Sequence, residues 1–362
     1  MRRALAAAGL LLAALLAWLL LWPVPVEPQA WQAPANPGHA DPFAPDPRLR
    51  AAAALDLGGR VGPEDAALGP DGRLYVGTDN GEILALRPDG SGLTVFATPG
   101  GRPLGLEFDI AGRLLVANAY LGLQRIGPDG RVEQLLGEVD GVPLGYADDV
   151  AVAADGRVFV SDASTRFAAA EHGGTYAASL LDILENSASG RVLEYDPASG
   201  GARVFANSLS FANGLAVSDD QRWLYVAETG RYAIWRYPLG GGERELVIGG
   251  LPDFPDNLNN GLRGRIWVGL IAPRVPALDA LAGRPFLRRV VQRLPAALRP
   301  AAEPHSHVIA IDADGNVLMN LYDTGAALQA LTGVLETTDA LYLTSLFAPA
   351  LGRLDKRDLA PR

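Results

Sequence analysis

Four residues carry the chemistry that this sequence can do: Glu64, Asp148, Asn213 and Asp256. Each opens a near-copy of one phrase, as in EDAALGPDGRLYVGT (64–78), DDVAVAADGRVFVSD (148–162), NGLAVSDDQRWLYVAE (213–228) and DNLNNGLRGRIWVGL (256–270). Eleven residues separate Glu64 from Tyr75, Asp148 from Phe159 and Asp256 from Trp267. Twelve separate Asn213 from Tyr225, where the turn SDDQRW is one residue longer than GPDGR. Side chains held in one register around an axis converge on it. Three carboxylates and a carboxamide at one point repel unless a cation lies between them. Oxygen donors without His or Cys select calcium first, then magnesium or manganese. The alternative is that each residue only caps its own turn.

The elements that must position these residues follow from the phrase. It recurs twice more, as LGLEFDIAGRLLVAN (104–118) and, degenerately, GVLETTDALYLTSL (333–346). A short alternating strand, an Asp-Gly type turn and a strand with a central aromatic or Leu make a hairpin. Six copies of a four-stranded unit predict an all-β fold, a six-bladed β-propeller over residues 51–362. No copy carries enough apolar residues to fold alone. A strand near Ala52 to Leu57 is expected to complete the last blade. In the ligand register blade two offers Leu104, and blade six Leu331 or Thr332.

Two insertions break the rhythm, at 163–189 with the helix-compatible AASLLDILENSA, and at 271–304. The second is basic and amphipathic, with Arg284, Arg288, Arg289 and Arg293 among Leu287, Val290, Val291 and Leu294. It reads as a lid whose arginines face lipid headgroups or solvent, or else as packing between blades. Residues 1–22 begin with Arg2 and Arg3 and run apolar from Ala4 to Trp22. At ~1.5 Å per residue that run just spans a bilayer core. An uncleaved transmembrane anchor is expected, with a cleaved signal as the alternative. The positive-inside rule then places the propeller on the periplasmic, extracytoplasmic side. Residues 23–50, rich in Pro and Ala, read as a stiff tether.

The formal charge of −10, from 31 Lys and Arg against 41 Asp and Glu, argues against a nucleic-acid partner. With no cysteine in the chain, disulfides, structural zinc and thiol catalysis are not expected. His305 and His307 share one face of HSHVIAID and read as a structural pair, and His39 falls in the tether. His172 in AAEHGGTYA is a candidate proton shuttle, a structural histidine being the alternative. Neither a G-x-S-x-G elbow nor a P-loop is present.

The phrases YADDVAVAADGRVFVSDAS, SFANGLAVSDDQRWLYVAETGRYAIWRY, FPDNLNNGLRGRIWVGL and LYLTSLFAPALGRL resemble the strictosidine synthase-like branch of the gluconolactonase and paraoxonase superfamily. The resemblance covers about residues 55–355, including blade order and the long insertion before the last blade. It implies a six-bladed propeller and, by analogy with many members, calcium-dependent hydrolysis of esters or lactones. Glu64, Asn213 and Asp256 fall on the family's calcium ligands. Asp148 stands where the pattern has Asn, which should tighten the metal and dull its Lewis acidity. Asp256 or Asp148 would activate water or attack directly. Strictosidine synthase itself uses a Glu where this chain has Thr332, and Glu336 matches a different position, so Pictet–Spengler condensation is not carried over. A non-catalytic propeller binding a ligand or protein, with a structural calcium, is the competing class.

Overall fold

The computed structural model describes residues 1–303 and 305–359. Twenty-four of its strands form six four-stranded antiparallel sheets arranged as propeller blades, and one extra two-stranded hairpin, Glu138–Val139 with Val142–Pro143, lies beside blade three. The innermost strands are Ala66–Leu68, Pro103–Phe108, Ala147–Val152, Ala212–Val217, Asp253–Asn260 and Leu331–Glu336. Ala53–Asp56 pairs antiparallel with Ala350–Asp355, so the N-terminal strand completes blade six as expected.

Local chemistry explains the hairpins. In blade one Asp71 Oδ1 accepts from Arg73 N at 3.1 Å, and Gly72 takes φ +77°, a left-handed conformation that costs a Cβ-bearing residue. Blade three repeats this with Asp155, Arg157 and Gly156. In blade four the extra residue is absorbed by Gln221, which itself sits at φ 57°. The central aromatics pack between blades: Tyr75 meets Phe96 and Phe108 edge-on, at 5.0 and 5.1 Å between ring centroids. Core clusters therefore straddle blade boundaries, as where Tyr225 and Ile234 of blade four meet Val268 and Ile309 of blade five.

Four helices lie outside the blades. α1 (Arg2–Leu21) is 20 residues long, has mean hydropathy 2.5 and buries nothing against the protein, so it is long and apolar enough to cross a membrane. α2 (Thr175–Glu185) fills the first insertion. α3 (Pro276–Ala280) and α4 (Pro285–Arg293) fill the second.

Residues 23–50, expected as a stiff tether, are docked on the protein. Val26, Phe43 and Leu49 are buried, and the backbone is pinned through Gln29 N to Glu185 O (2.9 Å), Trp31 N to Ala282 O (3.2 Å) and Asp46 N to Tyr322 O (2.7 Å). The segment is a strap laid over both insertions and blade five. The physical reason is its spaced large side chains among the Pro and Ala, each seeking burial worth about 1.5–3 kcal/mol.

α4 also departs from expectation. Arg284 and Arg289 are exposed, but Arg288 and Arg293 are buried. Arg288 donates to Gln29 O and Ile183 O, both at 3.0 Å. Arg293 donates to Trp22 O (2.5 Å) and Leu19 O (3.2 Å), satisfying carbonyls at the C-terminal end of α1. Half of the expected lipid-facing cluster instead ties α4 to the strap and to α1.

Candidate metal centre in the central tunnel

The register inferred by counting is present in the strand pairing. Ala67, Ala151, Ala216 and Asn259 face Tyr75, Phe159, Tyr225 and Trp267, and the residue three positions earlier is Glu64, Asp148, Asn213 and Asp256 in turn. The same step from Glu107 opposite Leu115 gives Leu104, and from Leu335 opposite Tyr342 gives Thr332. In blades two to six the inner ladder shifts register beside this position, and such a bulge re-aims a side chain. Thr332 donates through Oγ1 to Glu64 O at 2.5 Å, closing the ring from blade six to blade one. Glu336 is engaged elsewhere, by Trp267 Nε1 at 2.8 Å and Lys356 Nζ at 2.5 Å.

All four predicted ligands are at most 5% exposed. Asn213 Nδ2 donates to Asp256 Oδ1 at 2.6 Å. Asn257, which counting did not single out, donates through Nδ2 to Glu64 O and Glu64 Oε1, both at 3.1 Å. Three acceptors are then left buried without any donor: Glu64 Oε2, Asn213 Oδ1 and Asn257 Oδ1. An orphaned buried acceptor costs about 1–3 kcal/mol, and three in one ring are what a bound cation would satisfy. The donor set is all oxygen, so it fits calcium.

Electrostatics agree. Burial, then Asp256 and Asp148, push the Glu64 carboxyl well up, with Arg102 opposing. Burial, then Asp256, raises Asp148. Burial pushes Asp256 up to about 7 against the lowering hydrogen bond from Asn213. Arg102 is a buried cation beside the ring, donating to Gly62 O at 3.0 Å, and Tyr146 is raised by burial and the same carboxylates.

Just beyond the ring, the blades are stitched in pairs. Asp65 of blade one accepts from Leu106 N of blade two (2.9 Å), and Asp149 of blade three accepts from Leu215 N of blade four (2.7 Å). Asn259 Oδ1 of blade five accepts from Val334 N of blade six (2.9 Å). Gly105 and Gly333 accommodate these side chains: a Cβ there would lie 2.4 Å from Asp149 Oδ1 and 2.6 Å from Asn259 Oδ1.

The 163–189 insertion covers the ring. Phe167, Ala178 and Leu184 share an apolar cluster with Leu104 and Tyr146, and Tyr146 Oη donates to Thr175 O at 2.9 Å. His172 bonds Ala168 O through Nδ1 at 3.1 Å. Two surface concavities flank blade four, one lined by Arg231, Trp235 and Arg244, the other by Asp219, Trp223 and Arg265, and no tunnel carboxylate lines either. The expected His305–His307 pair is joined by His39 and Asp253, a grouping taken up below.

A six-bladed propeller with a buried oxygen-donor ring defines the class. Family models for "Strictosidine synthase-like, N-terminal" and "Strictosidine synthase" match residues 41–86 and 148–241. A strictosidine synthase-like protein 6 of Arabidopsis thaliana is 32% identical over 317 residues, covering 85% of this chain and 82% of that one. An adipocyte plasma membrane-associated protein of Salmo salar is 31% identical over 376 residues, covering 96% of this chain and 88% of its own. The chain belongs to the strictosidine synthase-like family. Among solved structures it is similar to a gluconolactonase of Xanthomonas campestris (TM-score 0.62, 21% identity, 90% of this chain and 98% of that one). It is also similar to a calcium-binding regucalcin of Agrobacterium tumefaciens (TM-score 0.57, 15% identity, 84% and 93%), and both likenesses are of fold.

Proposed function

We propose that the protein is a calcium-dependent hydrolase of esters or lactones. The observation that carries this reading is the set of buried, unpaired acceptors Glu64 Oε2, Asn213 Oδ1 and Asn257 Oδ1 beside Asp148 and Asp256. Glu64, Asp148, Asn213 and Asp256 would hold the calcium, which would supply positive charge to polarise an acyl carbonyl and steady the oxyanion. Asp256 or Asp148 takes a proton from water as the water oxygen bonds to the acyl carbon. The acyl C–O bond then breaks, and the leaving alkoxide takes that proton back from the aspartic acid, which regenerates the carboxylate. Asn213 orients Asp256 through its 2.6 Å hydrogen bond, and the 163–189 cover keeps bulk water out.

The complete burial of the ring favours a second reading, a binding propeller whose calcium only pins the blades. Turnover of phenyl acetate and a lactone panel, with and without calcium, separates the two. Hydrolysis that needs calcium and is lost in Asp256→Asn supports the enzyme. Calcium binding with no turnover across the panel supports the binder.

The anchor α1 is proposed to remain attached and to place the propeller outside the cytoplasm, supported by Arg2 and Arg3 ahead of the apolar run. A reporter fused after Arg362 that is active only in the cytoplasm would reject that side. A mature N-terminus beyond Trp22 would reject the attached anchor.

A further inference from the structure

His39 of the strap, Asp253 opening the inner strand of blade five, and His305 and His307 from its third strand meet in one place. One donor atom from each lies within 4.8 Å of all the others, the one such group of His, Asp and Glu among the described residues. His39 Nε2 is 2.9 Å from Asp253 Oδ1, His305 Nε2 is 2.9 Å from Asp253 Oδ2, and His307 Nδ1 contacts Oδ2 as well. Asp253 and His307 are fully buried and His305 is 3% exposed.

Two details separate this group from an ordinary hydrogen-bonded cluster. His305 Nε2, although near the carboxylate, is not aligned for a hydrogen bond and has no partner at all. The tautomer of His307 is fixed from outside. Asn320 Nδ2 donates to Ala44 O at 2.6 Å, so its Oδ1, 2.7 Å from His307 Nε2, must accept a proton from that nitrogen. Neutral His307 then presents the lone pair of Nδ1 to a carboxylate oxygen, acceptor against acceptor. A positive centre between them resolves the conflict, either an extra proton or a metal ion. The Asn320 contact is the outer-shell hydrogen bond that orients a metal-bound imidazole.

We propose that His39, Asp253, His305 and His307 bind a divalent transition metal of the zinc class, and that this site fastens the strap to blade five. Three imidazoles and one carboxylate suit zinc, whose four ligands at about 2.0–2.1 Å stand ~3.3 Å apart, so the contacts between Asp253 and the three histidines, now 2.9 Å or shorter, would widen as the ion enters. With four protein ligands the site is closed, as structural zinc sites are. Its nitrogen-rich donor set is also distinct from the oxygen-only ring of the tunnel. Because His39 comes from the strap and the other three from blade five, the metal would join two separate parts of the chain.

The test uses the full chain in detergent, stripped of metal and reloaded with zinc or cobalt. Expected are about one zinc per chain, untouched by a calcium-selective chelator, and tetrahedral cobalt bands in the visible spectrum. His39→Gln and His305→Gln should each weaken zinc at least about 100-fold and abolish the cobalt bands. Stripping should also speed cleavage within 23–50 by a broad-specificity protease. His39 lies in the strap outside the blades, so its variant keeps the propeller and remains informative if His305→Gln misfolds. Negligible zinc in the reloaded wild type, or wild-type zinc affinity in His39→Gln, overturns the proposal. So does a melting temperature that ignores zinc but rises on acidification through the histidine range, which identifies a protonated imidazole cluster instead.

Discussion

Asn213 donates its Nδ2 to Asp256 Oδ1 across the boundary between blades four and five, and this turns its own Oδ1 into a buried acceptor without a donor. In the proposed calcium site the residue would therefore have two duties, one to a neighbour and one to a cation. Asn213→Ala removes both, and calcium affinity should fall by about 10–100-fold, or ~1.4–2.8 kcal/mol. Isothermal titration reads this directly, and an unchanged affinity would remove Asn213 from the site. Asn213→Asp should melt lower than wild type without metal, because it sets a fourth carboxylate against Asp256, and calcium should narrow the gap.

The wild-type ring predicts a metal-dependent fold. Calcium that binds only the native state raises stability by mass action. Thermal melting after chelation should therefore fall and recover on adding calcium. An identical transition in both conditions, with no metal in the purified protein, would count against the tunnel site.

The stitch from blade three to blade four makes Asp149 a structural residue despite its charge. Its Oδ2 holds Leu215 N and its Oδ1 holds Val150 N, each at 2.7 Å. Asp149→Ala orphans two buried N–H groups at ~1–3 kcal/mol each, while relief of a buried charge offsets part. The net loss should be about 2–4 kcal/mol by urea unfolding. A variant as stable as wild type would mean that the stitch carries no weight.

Asp182, buried in α2, gives the cover a pH dependence. Burial pushes its carboxyl up to about 7, opposed by hydrogen bonds from Ser164 and Ser189, and Oδ1 has no partner. The folded protein thus holds this proton more tightly than the unfolded chain, whose Asp titrates near 3.8. Its stability contribution is complete below ~4 and is lost as pH rises toward 7. Asp182→Asn should match wild type near pH 4 and exceed it at pH 8, by about 4 kcal/mol at most. Parallel stability curves for the two proteins would refute this.

Arg288 and Arg293 are expected to matter for the strap before they matter for lipid. Removing the clasp in Arg288→Ala/Arg293→Ala breaks four charged hydrogen bonds, to Gln29, Ile183, Trp22 and Leu19. Local opening of residues 23–50 should become easier by about 2–4 kcal/mol, read by hydrogen exchange. Unaltered protection there, with weaker vesicle binding instead, would return these arginines to the membrane-facing role.

What the sequence made legible and what it hid divide by distance along the chain. Glu64, Asp148, Asn213 and Asp256 could be found by counting because a hairpin pairs residues about a dozen apart, and every blade repeats the count. The extra residue before Trp223 was readable for the same reason, since Gln221 absorbs it inside the turn. Asn257 escaped because its contact with Glu64 closes the ring between chain segments 193 residues apart. The meeting of His39 with Asp253, 214 residues on, left no local trace either. The strap was misjudged because Pro and Ala content dominates 23–50, while the few buried side chains that dock it, Val26, Phe43 and Leu49, form no periodic pattern.

The strand Ala53–Asp56, which zips blade six shut, also divides the chain into two zones of vulnerability. A protease acting between α1 and that strand sheds a complete ring, its latch still engaged along Ala350–Asp355. A cut only a few residues later takes the latch with it, leaves the Ala350–Asp355 edge unpaired and uncovers Leu351 and Leu354, both fully buried while the ring is closed. Loss of α1 and destruction of the fold are thus separated by a handful of residues at the end of the strap.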